Sequence, residues 1–495
     1  MKSRYSILIL TSLLMVTSCK KELYKDPIGL LTPDQINLDP NLNTVRSSVT
    51  SSYQMLASTL NLIGDWGWDD GVVTRNDFIL GDIASDDAQK KWNPDGDQAW
   101  MDEIDNFNFT ANNGGFNGIW SYDYEGVART NLSLNYLTDE AILTKIGIEE
   151  TLKNRLLGES YFLRAFYYFD LVVNFGDVPL LLKPLENFSE AYDVAKRIPA
   201  ADVWEQIRAD LAQAKILLPD SKFADASEPW RASKGAVIAL QAKVALYNEA
   251  WQEVIDRVNE LQGLQFYSLN NNYFDSFNVS KEFTDNEVIF AYNHESGKNP
   301  PNGNGLCALL DWGFLAPTTD FVNTFEANDP RLSYTVDVSK QAIFKVLGAT
   351  NTSYKGNEDA PSNRIYIRWA DVLLWKAEAA NEVGNYSDAV TIINQIRTRA
   401  RTTPNIDGST PPAGTLPPRN VQATDKNQIK EWLMHERRVE LGFESQRFND
   451  LKRWKIAKEV LTAQGKNFKD NNYLYPIPQG EIDKSGGTIT QNPSY

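Results

Sequence analysis

The chain has 495 residues and carries 49 Lys and Arg against 65 Asp and Glu, a formal net charge of −16. An acidic excess of this size repels nucleic-acid phosphates and anionic headgroups, so nucleic-acid binding is disfavoured. Two cysteines and two histidines are too few for a four-cysteine zinc site or a histidine-based metal centre, and we expect no metal and no other cofactor.

The first 19 residues have the features of a bacterial lipoprotein signal. Lys2 and Arg4 precede an apolar stretch at residues 5–16, which is shorter than the roughly 20 residues that span a bilayer. Small residues stand directly before Cys19, as acylation requires. We therefore expect residues 1–18 to be removed and a palmitate-type lipid anchor to be attached to Cys19. An ordinary signal peptide, or a buried core helix, with an incidental cysteine is the alternative.

Removal of residues 1–18 deletes two basic residues and no acid, so the net charge falls from −16 to −18. Cys307 is then the only cysteine without a lipid, which excludes an intramolecular disulfide. No second apolar stretch is long enough to span a membrane. We expect a soluble body that is lipid-anchored to the bacterial outer membrane and faces the cell exterior.

The first part of the mature chain changes character twice. Residues 19–40 contain three prolines and predict a polar tether, and a helical pattern follows at residues 43–60. Residues 61–118 then place several tryptophans and phenylalanines among many Gly, Asn and Asp residues. This mixture predicts loops that carry large apolar side chains.

Beyond residue 120, apolar residues recur at helical intervals. The predicted helices cover residues 152–173, 200–218, 232–247, 249–262, 363–383 and 386–401. Small residues at the turn in 378–389 resemble a tetratricopeptide repeat. The helix pairs at 232–262 and 363–401 lie about 130 residues apart, so the repeats are not in tandem. The expected fold is mostly α, a tetratricopeptide-like helical scaffold with little β and long loop-rich insertions such as 263–360. Five prolines in residues 402–420 predict an excursion and not a domain linker.

The C-terminal third resembles the RagB/SusD family. The resemblance rests on residues 436–441 (Glu-Arg-Arg-Val-Glu-Leu), on Tyr-Pro-Ile-Pro at 475–478 and on the last five residues. Matching segments upstream lie at 80–88, 164–165, 175–180 and 394–400. Ser445 and Ser494 depart from the family, which usually has Gly there.

The resemblance implies a SusD-like fold and a nutrient-uptake function. It divides the body into an N-terminal region at 41–262 with aromatic loops and a C-terminal region at 263–495, intertwined in one globular unit. It further implies that the protein is not an enzyme. It would bind nutrient glycan, an oligosaccharide or polysaccharide, and deliver it to a TonB-dependent, SusC-like outer-membrane transporter.

Aromatic loop residues are the first candidates for the glycan site. A sugar ring offers an apolar face and a rim of hydroxyls, so its binding needs a flat aromatic surface beside polar groups. Trp66, Trp68, Trp92 and Trp100, with Arg75 among neighbouring acids and amides, provide both. The alternative is that these rings pack the loops onto the scaffold.

The resemblance adds Tyr292 and Trp312 as ligand-contacting aromatics. Tyr292 ends a strand-like run that begins at Val288, and Trp312 follows 20 residues later. Packing at the edge of a loop is the alternative interpretation of both. His294 is expected to be an ordinary surface histidine.

Charged clusters are expected to serve the fold. Asp82, Asp86 and Asp87 lack the spacing of a calcium loop, and residues 85–87 predict a helix cap before Ala88. The charges from Glu436 to Arg453 predict an internal network that holds the last helices in place.

Three other functions remain open at this stage. The ligand for the same transporter could be a peptide. A glycoside hydrolase would need two carboxyl groups at a suitable separation, and the many acids do not exclude such a pair. The third alternative is a structural or adhesive subunit.

Overall fold

The computed structural model describes residues 41–64, 71–91, 97–185, 188–348 and 358–495. The helices are α1 Leu42–Tyr53, α2 Ala99–Asn106, α3 Asn117–Thr138, α4 Glu140–Ile146, α5 Glu150–Phe175, α6 Phe188–Val194, α7 Ala200–Leu217, α8 Lys234–Tyr247, α9 Trp251–Gly263, α10 Leu306–Asp311, α11 Thr319–Thr324, α12 Arg331–Thr335, α13 Trp369–Glu382, α14 Tyr386–Thr402, α15 Lys426–Leu441, α16 Arg447–Arg453, α17 Ala457–Ala463 and α18 Gln479–Lys484. The predicted mostly helical fold is confirmed.

The strands are short and form two-stranded antiparallel sheets. They are β1 Ala88–Lys90, β2 Val178–Pro179, β3 Arg197–Ile198, β4 Val288–Tyr292, β5 Leu315–Pro317, β6 Val336–Asp337, β7 Ala342–Ile343 and β8 Arg364–Arg368. The pairs in the described part of the chain are β1–β5, β2–β3, β4–β8 and β6–β7.

The scaffold consists of helices packed side by side in two groups. Helices α1, α3, α5 and α7 form the first group, and α8, α9, α13, α14 and α15 form the second. Ser233 caps α8 by accepting a hydrogen bond from the amide of Ala236, and every third residue from Ala236 to Ala245 is a buried alanine. Such small side chains let neighbouring helices approach closely. The helix pairs predicted at 232–262 are confirmed within a few residues.

The prediction of a single helix at residues 363–383 is wrong. Residues 364–368 are strand β8, in which Ile365 and Ile367 alternate with Arg and Tyr, and the helix starts only at Trp369. The alternation is typical of a strand, and β4 supplies the partner. The strand-like run from Val288 is confirmed as β4.

The described residues between 61 and 118 contain more regular secondary structure than the predicted loops. They contain β1, α2 and a π-helix at Ile79–Ile83. Residues 402–420 do form an excursion that returns to the scaffold, because Arg397 and Arg401 of α14 donate hydrogen bonds to the carbonyls of Pro417 and Leu416.

One hydrophobic core extends through the described residues from Val45 to Ile489. It crosses the predicted boundary at residue 262, and the division into 41–262 and 263–495 stays a prediction. None of the described helices combines the length and the apolar character that a bilayer crossing requires.

Candidate functional site

The most accessible of the described tryptophans lies at the end of α10. Trp312 is 43% exposed, whereas the other described tryptophans are buried or half-buried. Its amide donates to the carbonyl of Ala308 and closes the helix, and Gly313 then adopts a left-handed conformation with φ 84° that turns the chain into β5. The indole is thus presented to solvent by a tight helix-to-strand turn.

A second ring lies beside it. The half-buried Phe314 meets Trp312 edge to face, with ring centroids 6.5 Å apart and an interplanar angle of 74°. The ammonium of Lys90 lies 5.7 Å from the centroid of the Phe314 ring. We call the surface formed by Trp312, Phe314 and their polar neighbours the Trp312 surface.

Strand β1 and the β6–β7 hairpin supply those polar neighbours. The amide of Lys91 donates to the carbonyl of Phe314 at 2.7 Å. The Lys91 ammonium donates to the carbonyls of Lys340 and Gln341, at 3.0 and 3.4 Å. The hairpin turn also exposes Val338, of which 50% is accessible. An exposed aromatic face is therefore bordered by amine and amide groups.

Close backbone packing fixes the start of α10. A Cβ at Gly303 would lie 2.2 Å from the Cα of Asp359, and one at Gly305 would lie 2.4 Å from Cγ of Leu60. The amide of Gly305 donates to the carbonyl of Ser58. Glycine is therefore required at both positions, and the helix that carries Trp312 is held against two distant segments.

Tyr292 lies in the interior and not on the surface. It is 8% exposed, and its hydroxyl donates to Oδ1 of Asn302 at 2.7 Å. Burial raises the pKa of Tyr292 to about 12. The ring thus packs at the edge of a loop, which was the alternative interpretation.

His294 is also buried, at 2% exposure, so the expectation of a surface histidine is wrong. Its ring lies in T-shaped contact with Tyr292, with centroids 4.8 Å apart. The sequence signal for this burial was available, because His294 lies only two residues beyond the end of an apolar strand.

Arg75 and Trp100 are likewise interior residues. The Arg75 guanidinium is fully buried and pairs with Asp123 at 2.6 Å and with Asp170. Trp100 is 6% exposed, and its indole N–H donates to Oε1 of Gln98 at 2.9 Å. Both side chains already have partners inside the fold, so neither offers its polar group to a ligand in this conformation.

Four predicted residues lie outside the described part of the chain. They are Cys19, Trp66, Trp68 and Trp92. Their predicted roles stay predictions.

The acidic residues before β1 do not cap a helix, because residues 88–90 form a strand. Asp86 pairs with Arg447 at 2.7 Å and with Arg438 at 3.0 Å, and Asp87 pairs with Arg438 at 2.6 Å. Asp82 accepts a hydrogen bond from the amide of Ser445. These acids join the N-terminal region to the last helices, and the described residues contain no group of His, Cys, Asp and Glu that could hold a metal ion.

The predicted internal network is confirmed around Glu440 of α15. The buried Glu440 carboxylate accepts from Arg331 at 3.0 Å, from Arg368 at 2.8 Å and from Arg399. Burial raises its pKa, but the three guanidiniums outweigh burial and hold the pKa well below its usual value. We call this group, with Glu436 of the same helix, the Glu440 cluster.

The cavities offer less for a glycan than the Trp312 surface. The interior cavity beside Asp77, Asp170 and Lys243 has a volume of about 50 Å³, room for only a few water molecules. An open groove of about 750 Å³ lies between Arg46 and Glu228, but the described residues that line it include no aromatic side chain. It therefore lacks a stacking partner for a sugar ring.

Comparisons with known proteins connect this architecture to a family. Residues 338–495 match the family model described as "SusD family", and residues 36–246 match the one described as "Starch-binding associating with outer membrane". SusD-like protein P2 of Formosa agariphila is 26% identical, and the alignment covers 99% of this chain and 100% of the relative. The chain belongs to the SusD family. The resemblance found in residues 436–495 is thereby confirmed.

Solved SusD-like structures share the fold. Surface glycan-binding protein A from Bacteroides fluxus is 24% identical, with a TM-score of 0.73 and coverage of 92% of this chain and 100% of that one. A structure titled "Laminarin binding SusD-like protein" is 25% identical, with a TM-score of 0.71 and coverage of 92% and 100%. The protein thus has a SusD-like helical scaffold along most of its length.

Sequence reasoning missed Phe314 as the ring beside Trp312, and Lys91 as the residue that bonds to Phe314. The spacing of Trp312 and Phe314 around a glycine was a usable signal for an aromatic pair on a turn. Lys91 comes from a segment far away in the chain, and only the folded structure brings it to Phe314.

Proposed function

We propose that this SusD-like protein binds nutrient glycans at the bacterial outer membrane through the Trp312 surface. The observation that carries the proposal is the exposed indole of Trp312 beside Phe314, bordered by Lys91 and the β6–β7 turn. A sugar ring stacks its C–H face on the indole, and its hydroxyls bond to the amine and amide groups at the border.

The titles of the solved relatives support a carbohydrate ligand. One relative is titled as laminarin-binding, and another, from Bacteroides thetaiotaomicron, is a surface glycan-binding protein in complex with laminarihexaose. An open stacking surface favours modest affinity, on the order of millimolar to micromolar, which suits capture followed by release. We therefore take laminarihexaose as the first probe.

We propose binding without catalysis. A hydrolase needs a carboxyl group with a raised pKa that can reach the glycosidic oxygen. Glu282 has such a pKa, raised to about 7 by burial, but it lines a cavity of only about 20 Å³ and accepts a hydrogen bond from the amide of Asn363. A sugar ring does not fit into that space, so this carboxyl group is not placed to reach a glycosidic oxygen.

The lipid anchor and the transporter complete the proposal. Lipidation at Cys19 would hold the protein at the membrane surface, and a TonB-dependent SusC-like transporter would receive the glycan. Metabolic labelling with a palmitate analogue tests the anchor, because Cys19→Ser should abolish incorporation. Co-purification tests the partner: recovery of a TonB-dependent transporter supports delivery, and recovery of a fibre subunit alone contradicts it.

Calorimetry with the wild-type protein tests the ligand class. The panel contains laminarihexaose, maltohexaose, cellohexaose and xylohexaose, with peptides of similar size. We expect binding of at least one oligosaccharide and no release of smaller sugars after prolonged incubation. Binding of peptides alone would replace glycan with peptide, and steady hydrolysis of a bound oligosaccharide would contradict a pure binding function.

A further inference from the structure

The imidazole of His294 bridges two chain segments that lie far apart in sequence. The backbone amide of Ser58 donates to Nε2 at 3.3 Å, and Nδ1 lies 2.9 Å from the carbonyl oxygen of Asn302. The side chain is almost fully buried. It therefore joins the segment at 57–60 to the segment at 302–305 inside the protein.

These two contacts define the state of the ring. An amide N–H only donates and a carbonyl only accepts, so Nε2 is unprotonated and Nδ1 carries the proton. Burial, together with the charge of the nearby Arg364 guanidinium, lowers the pKa of His294 to about 4. A neutral imidazole thus supplies one acceptor and one donor without placing a charge in the interior.

Two further hydrogen bonds run beside the ring. The hydroxyl of Thr59 donates to the carbonyl of Gly303 at 2.9 Å, and the amide of Gly305 donates to the carbonyl of Ser58 at 2.9 Å. Helix α10 begins one residue later, and Trp312 directly follows its last residue. The bridge therefore lies at the base of the element that presents the indole.

A third segment is attached to the same residue. The backbone amide of His294 donates to Oδ1 of Asn363 at 2.9 Å, and the amide of Asn304 donates to the carbonyl of Ala360 at 2.8 Å. Residues 358–363 are thereby tied to the same point. Three separate parts of the chain therefore meet at His294, two of them at its ring and one at its backbone amide.

We propose that His294 is a positioning residue for glycan binding, because its neutral ring fixes residues 57–60 and 302–305 relative to each other and so sets the placement of α10 and Trp312. The inference rests on the proposed function for its consequence, but the bridge itself does not. An aromatic ring without nitrogens would fill the same space. It would leave the Ser58 amide without its acceptor, and the Asn302 carbonyl would keep only its hydrogen bond from the amide of Glu295.

Three variants test this role. His294→Phe keeps the ring and removes both hydrogen bonds, whereas His294→Gln keeps one acceptor and one donor on a side-chain amide. His435→Phe is the matched control, because it makes the same change at the chain's other histidine, which lies on α15 beside Glu326. Hydrogen exchange monitored by mass spectrometry reports on residues 57–60 and 302–312, and calorimetry with laminarihexaose reports on binding.

We expect His294→Phe to raise amide exchange in both segments and to weaken laminarihexaose binding about tenfold or more. His294→Gln should restore both properties, and His435→Phe should change neither. Unchanged exchange in His294→Phe, or raised exchange with unchanged affinity, would overturn the inference. If the wild-type protein binds no oligosaccharide, the proposed function fails and with it the role in glycan binding, while exchange alone still decides whether His294 joins the segments.

Discussion

The Trp312 surface and the Glu440 cluster are built in opposite ways. The Glu440 cluster is buried, and its carboxylates and guanidiniums satisfy one another with several hydrogen bonds each. The Trp312 surface lies on short strands, a six-residue helix and a hairpin turn, with its main ring open to solvent. The first region holds the fold together, and the second exposes an aromatic ring to solvent.

The difference between the two regions separates the residues that reveal the family from those that we propose to bind the glycan. The segment at 436–441 that carries the resemblance supplies Glu436 and Glu440 to the buried cluster, where each is fixed by several arginines. Trp312 lies outside this segment and outside the buried cluster. We therefore expect family membership and ligand preference to depend on different residues, so that a match at 436–441 does not name the ligand.

Removal of the central carboxylate should give the largest effect. Glu440→Ala leaves the buried guanidiniums of Arg331 and Arg368 without their shared partner, so we expect a loss of about 3–5 kcal/mol in the free energy of unfolding. Denaturant titration measures it. The matched control is Asp470→Ala, which breaks the exposed pair with Lys458 and should cost less than about 1 kcal/mol. Equal losses in the two variants would contradict the assigned difference between the regions.

The stability contribution of Glu282, which lines the small cavity described above, should respond to pH in the opposite direction from that of Glu440. Burial raises the pKa of Glu282 to about 7 from an ordinary value of 4.5, with repulsion from Asp285 in the same direction. The folded state therefore holds this proton more tightly, and the contribution of the group is lost as the pH rises from about 4.5 through 7. Glu282→Gln stays neutral, so it should be about 2 kcal/mol more stable than wild type at pH 8.

Denaturant titrations of wild type and Glu282→Gln between pH 5 and pH 8 measure this difference. The difference in the free energy of unfolding between the two proteins should be small near pH 5 and should grow toward pH 8. A constant difference across the range would show that Glu282 is not protonated in the folded protein near neutral pH.

The smallest expected effect is that of removing the hydroxyl of Tyr292, and it tests whether this residue packs in the interior or contacts the ligand. Tyr292→Phe removes the hydroxyl that bonds to Asn302, which should lower the free energy of unfolding by about 1 kcal/mol. Because the ring is buried, glycan affinity should change less than threefold, or by less than about 0.7 kcal/mol. Thermal unfolding and calorimetry check the two values. A large loss of affinity with unchanged stability would restore the predicted direct contact of Tyr292 with the ligand.

Much of the fold could be predicted because the sequence pattern of a helix is contained within the helix itself. The intervals between apolar residues identified α5, α7, α9 and α14, and prolines and glycines marked the ends of several helices. Strand β8 was missed because five alternating residues before a long helix look like its first turn, and its partner β4 lies more than 70 residues upstream. Pairing across such a distance leaves no local signal.

The candidate site was less predictable than the fold. Composition favoured Arg75 and Trp100 as binding residues, but burial is a property of the assembled core, where Asp123 and Gln98 meet their polar groups. Trp312 could be named in advance only through the family resemblance. The contacts of Lys91 with Phe314 and with the β6–β7 turn join segments that are far apart in the chain, so they appear only in the assembled fold.

The central claim is that the indole of Trp312 contacts the glycan. Calorimetry with laminarihexaose, or with the panel oligosaccharide that binds most tightly, compares Trp312→Ala with Tyr192→Ala, because Tyr192 is an aromatic of similar exposure, 42% against 43%. We predict a loss of about tenfold or more in affinity for Trp312→Ala, about 1.4 kcal/mol, with no change for Tyr192→Ala and unchanged unfolding in both. Wild-type affinity in Trp312→Ala would contradict the account and move the ligand to another surface.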